Sequence, residues 1–100
     1  MKELRDKIEV ILALDKAPSQ HVIFFYLLGT GKTMTVKEIS NKIGLTPKAT
    51  ERAVAKLYRK DLIQRAPFRT RSYLCDSKEI VLGLLVMVAE LKEKLDSLVL

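Results

Sequence analysis

Eight of the chain's eighteen Lys and Arg residues fall between Thr46 and Arg71, where only Glu51 and Asp61 oppose them. Residues 1–45 hold seven basic against five acidic side chains and residues 72–100 hold three against five, so the three parts carry +2, +6 and −2. The central quarter thus equals the whole net charge of +6. Cations concentrated this way attract phosphate, and a planar guanidinium can also grip a phosphate or a base edge through two parallel hydrogen bonds. Spacing divides the set in two. Lys48, Arg52, Lys56 and Arg59 recur at helical intervals, with Glu51 and the small Ala55 among them, while Arg65, Arg69 and Arg71 surround Pro67 in a segment that reads as a turn.

Other chemistries find little to work with. One cysteine, Cys75, and one histidine, His21, fall far short of a metal-ligand set, and Cys75 has no partner for an internal disulfide. His21 is expected to be structural. Cys75, at the end of an expected strand, reads as a small buried apolar residue, the other use being a redox-sensing thiol that draws on nearby Arg71. Gly29–Thr33 (GTGKT) resembles part of a phosphate-binding loop, but Tyr26 stands where that motif needs its first glycine and the preceding segment is helical, so a plain loop is expected. No nucleophile, base and orienting group assemble from the sequence, so neither catalysis nor a cofactor is expected. Lys37 and Lys42 read as a solvated face.

The elements that must position the cations are mostly helical. Leu4, Ile8, Ile11 and Leu12 give a first amphipathic helix from Lys2 to Leu14, closed by Pro18. Ser19 is expected to cap a second helix, whose VIFFYLL run is apolar on every side and belongs at the centre of the fold. A short extended piece around Met34 precedes Thr35 and Glu38, a capping box that starts a helix with Val36, Ile39 and Ile43 inward, ended by Gly44. Thr46 is then an N-cap, with Pro47 at the first helical position where its missing N–H costs nothing, and that helix runs to about Lys60. Thr50, Ala53, Val54, Leu57 and Tyr58 fall on its body-facing side. Leu62–Ile63 and Arg71–Cys75 read as two strands around a basic turn. Asp76 and Glu79 form a second capping box, opening a last helix in which Ser77, Val81, Leu84, Val88, Leu91, Leu95 and Leu98 alternate by four and three, a coiled-coil seam.

Residues 43–65, IGLTPKATERAVAKLYRKDLIQR, resemble the second and third helices and first wing strand of winged helix-turn-helix regulators of the MarR-like and related bacterial and archaeal groups. Lys60, Asp61, Leu62 and Ile63 match the Lys-Gly-Leu-Ile close of that pattern, with Asp61 where glycine is usual; Asp tolerates the left-handed backbone better than most residues. The resemblance implies a mainly α fold with a small β-hairpin wing (α+β), a winged helix-turn-helix with an added N-terminal helix and a long C-terminal dimerisation helix. It further implies sequence-specific binding of double-stranded DNA in transcription regulation. Thr46, Pro47, Lys48, Glu51 and Arg52 would approach bases or nearby phosphates, Lys56 and Arg59 would lie further along, and Arg65, Arg69 and Arg71, with Phe68 near the tip, would follow the backbone or the adjacent minor groove.

A single domain over residues 1–100 is expected: an N-terminal helix (1–15), a winged-helix core (18–75) and a C-terminal dimerisation helix (76–100). Apolar residues surround the full circumference of that last helix around Ile80–Leu91, more than one small domain covers, so Val81, Leu84, Val88, Leu91, Leu95 and Leu98 are expected to form a homodimer seam, with the first helix packing on it in the same or the opposite subunit. The charged N-terminus and an apolar run of only about half a bilayer span point to a cytoplasmic protein without a membrane partner. A winged-helix module that docks a protein within a transcription or replication assembly is the alternative on the same fold.

Overall fold

The computed structural model describes residues 2–67, 69 and 71–99, apart from the side chains of residues 2–4 and 79. Phe68 of the expected wing tip therefore lies outside the described residues, as do the side chains of Leu4 in the first apolar stripe and Glu79 in the second capping box. The first helix, α1 (Lys2–Leu12), stops earlier than its apolar spacing suggests. Ala13–Lys16 tighten into a 3-10 turn that drives Leu14 to complete burial, and Ala17 N–H closes on the Leu14 carbonyl at 2.9 Å. Pro18 does not close a helix but opens one. It occupies the first position of α2 (Pro18–Thr30), where a missing N–H is no loss, and Ala17 rather than Ser19 stands at the N-cap.

Three side chains of α2, Ile23, Phe24 and Leu27, are fully buried, whereas Val22 and Phe25 of the same apolar run are more than two-fifths exposed. A helix flanked on one side only cannot bury its whole circumference, however apolar it is. β1 (Met34–Thr35) leads into α3 (Val36–Ile43), and the capping box is complete: Thr35 Oγ1 accepts from Glu38 N–H at 3.1 Å while Glu38 Oε1 accepts from Thr35 N–H at 3.4 Å. Ile39 is buried; Val36 and Ile43 are only partly so. Gly44 ends α3 at φ 81°, a left-handed turn that lets α4 (Pro47–Arg59) start three residues later.

Beyond α4 the chain runs antiparallel through β2 (Gln64–Arg65) and β3 (Ser72–Leu74), and β3 also pairs with β1, giving the order β1-β3-β2. The first wing strand lies two residues later than Leu62–Ile63, because those two side chains are committed to the core and their backbone to ending α4. α5 (Ser77–Val99) follows and packs on α1 of the same chain, where Arg5 and Glu90 form an ion pair. The core joins Ile8, Ile11 and Leu14 to Ile23, Phe24 and Leu27, and these to Ala53, Val54, Leu57, Leu62, Ile63, Cys75 and Ile80.

The end of α4 is a full Schellman turn. Leu62 N–H reaches the Leu57 carbonyl at 3.1 Å and Asp61 N–H reaches that of Tyr58 at 3.0 Å, with Asp61 at φ 59°. Asp61→Gly is expected to leave the melting temperature unchanged or raise it, while Asp61→Val, whose branched Cβ opposes a left-handed backbone, loses about 1–2 kcal/mol of stability in thermal or urea unfolding. Equal stability of the two variants would contradict this account of the turn.

Candidate nucleic-acid interface

The first turn of α4 is built by threonines. Thr46 Oγ1 accepts from Ala49 N–H at 3.2 Å as the N-cap, Pro47 takes the first helical position, and buried Thr50 returns its hydroxyl to the Thr46 carbonyl at 2.9 Å. The preceding turn is locked from α3 by Ser40 Oγ donating to the Leu45 carbonyl at 2.6 Å. Thr50, Ala53, Val54 and Leu57 are all at most 4% exposed, which fixes the rotation of the helix about its axis. Thr46, Pro47, Lys48, Glu51, Arg52, Lys56 and Arg59 are accordingly exposed, the four cations running along about three turns of helix. Lys56 and Arg59 fall in the last turn, where positive charge also complements the helix dipole. At the far end Lys60 Nζ donates to Gln20 Oε1 at 2.6 Å, tying α4 to buried Gln20 of α2.

Tyr58 departs from its expected inward place. It is 40% exposed and stands edge-on to Tyr73 of β3, ring centres 6.3 Å apart, while the Arg65 guanidinium lies 4.9 Å over its ring. A cation held on an aromatic face keeps its charge and loses side-chain freedom, so Arg65 is preset beside the end of α4. Arg65, Arg69 and Arg71 together line one groove of about 410 Å³ on the wing, with Ser72 and Tyr73 as its floor. Arg71, at φ 56°, is among the described residues a second left-handed residue other than glycine, beside Asp61, and one that the sequence did not announce. Arg69 is bound back to the body: Nη2 meets Glu38 Oε1 at 3.1 Å and Nη1 donates to the Thr33 carbonyl at 3.5 Å.

Two basic residues missed in the sequence border the same surface. Lys16, from the 3-10 turn, lines a groove of about 370 Å³ with Arg52 and Lys56, and Lys7 of α1 lines another of about 600 Å³ with Arg59 and Arg65. Neither is marked by any spacing, since both are brought there only by the packing of elements distant in sequence. The Gly29–Thr33 loop ends α2, Gly31 N–H meeting the Leu27 carbonyl at 3.1 Å, and leads into β1, so its order is helix-loop-strand and not that of a phosphate-binding loop. Among the described residues no group of three His, Cys, Asp or Glu side chains is placed to hold a metal ion, and no helix is long and apolar enough to cross a membrane.

On the α5 side, Val81, Leu84, Val88, Leu91, Leu95 and Leu98 are each about half exposed or more, as are Leu82, Leu85 and Val99. An open groove of about 540 Å³ runs between α1 and α5, lined by Leu84, Met87, Val88 and Leu91 and rimmed by Arg5, Glu9, Glu90 and Lys94.

Cys75 is 3% exposed and its thiol faces the Leu62 carbonyl at 3.5 Å. Burial pushes the thiol up to about 11, with Lys7 pulling weakly the other way. A folded-state value above the unfolded one favours the protonated thiol in the native protein, so this contribution to stability is intact below about 9 and is lost as the pH rises through about 11. The native protein is therefore expected to resist a thiol-disulfide reagent at pH 8 and to react at once in denaturant. Fast labelling of the native state would contradict the burial.

No family model and no curated protein matches the chain. Among solved structures, a GntR family transcriptional regulator from Listeria monocytogenes aligns at 26% identity over 78% of this chain and 73% of its own, with a TM-score of 0.48. A mutant of Lactococcus lactis ZitR in apo form aligns at 19% identity over 96% of this chain and 75% of its own, with a TM-score of 0.52. The second likeness spans nearly every element described above, and in architecture the chain is a winged helix-turn-helix: α3 and α4 around the Gly44 turn, the β2–β3 hairpin as the wing, and α1 and α5 added at either end.

Proposed function

We propose that the chain is a DNA-binding transcription regulator that engages duplex DNA as a homodimer, with α4 in the major groove and the wing along the backbone. One observation carries the proposal: the face of α4 left outside by its buried stripe is the cationic one, and the three wing arginines gather in a groove next to it. Lys48, Glu51 and Arg52, nearest the start of α4, are placed to meet base edges, Arg by chelating guanine O6 and N7. Lys56, Arg59, Arg65, Arg69 and Arg71 are assigned to phosphates, which set register without reading sequence. Lys16, on the rim shared with Arg52 and Lys56, extends the phosphate set. The resemblance of residues 43–65 to the MarR-like and related groups supports a regulator of this kind, working in the cytoplasm by binding and not by catalysis.

The homodimer rests on α5. Six seam residues left half exposed or more, continued by the apolar groove between α1 and α5, offer a second copy a surface that water would otherwise cover at a cost of about 25 cal/mol per Å². Self-association joins like surface to like, as a two-fold interface requires.

A titration of labelled duplex DNA across salt concentrations tests the reading. Binding is expected to weaken steeply, each neutralised phosphate adding about 0.9 to the log-log slope. Arg52→Ala should lose its advantage on a selected sequence by about 1–3 kcal/mol while random DNA is bound nearly as before. Leu91→Glu should run as a monomer in light scattering. A flat salt response, or unchanged binding on neutralising Arg52, Lys56 and Arg71 together, would instead favour a protein-docking module.

A further inference from the structure

We propose that Glu38 is a positioning residue for the wing: it holds Arg69 in the free protein and yields it to a DNA phosphate, so that a carboxylate outside the recognition helix tunes DNA affinity. The inference rests on the DNA-binding reading and deepens it.

The geometry makes Glu38 a fixed anion. Its Oε1 already accepts from Thr35 N–H at 3.4 Å and from Thr35 Oγ1 at 3.1 Å, so the capping box sets its rotamer whether or not the wing is present. The same oxygen receives Arg69 Nη2 at 3.1 Å, from 31 residues further along the chain. With Nη1 directed at the Thr33 carbonyl, the guanidinium lies across the junction of β1 and α3. Hydrogen bonds from Thr35, followed by the interaction with Arg69, hold the Glu38 carboxyl below its ordinary range, so it is charged at neutral pH.

The other wing arginines differ. Arg65 rests on the Tyr58 ring, and among the described residues neither Arg71 nor Arg52 has an acidic partner. Arg69 alone of the three must give up a carboxylate to meet a phosphate. It is half exposed, as is Glu38, so the guanidinium is reachable and the exchange is shallow. Exposed pairs of this kind shift an equilibrium by at most about fivefold. Removing the carboxylate should also steepen the salt dependence. In the native protein a cation returns to Glu38 when Arg69 leaves, offsetting the counterion released from DNA.

Glu38→Gln isolates the charge, because Gln serves a capping box as Glu does and α3 keeps its start. The experiment is fluorescence anisotropy of a random-sequence duplex, over a range of salt, with the wild-type chain, Glu38→Gln, Arg69→Ala and the double variant; thermal melts check folding. Glu38→Gln is expected to bind about two- to fivefold more tightly, with a slope steeper by up to about 0.9. Arg69→Ala should bind more weakly, and adding Glu38→Gln to it should restore nothing. No gain from Glu38→Gln overturns the proposal; so does an equal gain with and without Arg69, which would mean simple repulsion of DNA by the carboxylate. Should Glu38→Gln fail to fold, Thr35→Ser, which keeps the cap, combined with Glu38→Asp, which draws the carboxylate back from Arg69, gives the same two readings. A wild type that does not bind duplex DNA fails the DNA reading itself, a result distinct from a wild type that binds and does not respond.

Discussion

Burial of one narrow stripe of α4 is the constraint from which the rest of the surface follows. Thr50, Ala53, Val54 and Leu57 are packed out of water in a core shared with Ile23, Phe24 and Leu27 of α2. A helix anchored along one side has no rotational freedom, so the identity of the outward residues becomes a surface property with defined geometry. Caps at both ends remove what freedom remains: Thr46 and Pro47 at the start, the Asp61 turn and the Lys60–Gln20 contact at the finish. The turn at Asp61 then delivers Leu62 and Ile63 into the core and sends β2 out beside the helix, which is why the wing arginines end up next to the α4 cations rather than elsewhere on the molecule.

Charge and apolar surface are separated along the chain, and in the proposed dimer they serve different partners. Residues 46–71 carry the positive charge, whereas residues 72–100 carry −2 and leave their leucines and valines uncovered on α5. The acidic balance of that last segment keeps it from competing for phosphate. Packing of α1 on α5 within the chain, with the Arg5–Glu90 pair at its edge, would widen the surface that the proposed dimer offers a second copy from one helix to a two-helix groove. Each copy would then contribute one recognition helix, and the α5 seam would set the distance between them.

Local signals in the sequence were reliable where one or two residues decide the outcome. Thr35 with Glu38, Thr46 with Pro47, and Asp61 in a glycine position each name a cap that the structure builds as read, and the helical wheel of α4 identified four buried side chains, Thr50, Ala53, Val54 and Leu57. The misreadings share a cause, since each depended on what lies across from the residue. Pro18 looked like a stop because its neighbours gave no hint that Ala17 would serve as the cap. Val22 and Phe25 looked central because hydropathy does not reveal that α2 is covered on one side only. Tyr58 was drawn outward by Arg65 and Tyr73, seven and fifteen residues further along the chain, and the contact of Arg69 with Glu38, across thirty-one residues, carried no sequence signal at all. The place of β1 at the edge of the wing sheet was equally invisible, since a two-residue strand has no pattern of its own.

Selection of binding sites from random duplex DNA with the purified chain is the most direct test of the central claim, that two copies each present α4 to a major groove. The account predicts a pseudo-palindromic site whose half-sites lie about one helical turn, roughly 34 Å, apart or a multiple of it. No enrichment above random sequence, or an enriched site without two-fold symmetry, would contradict it.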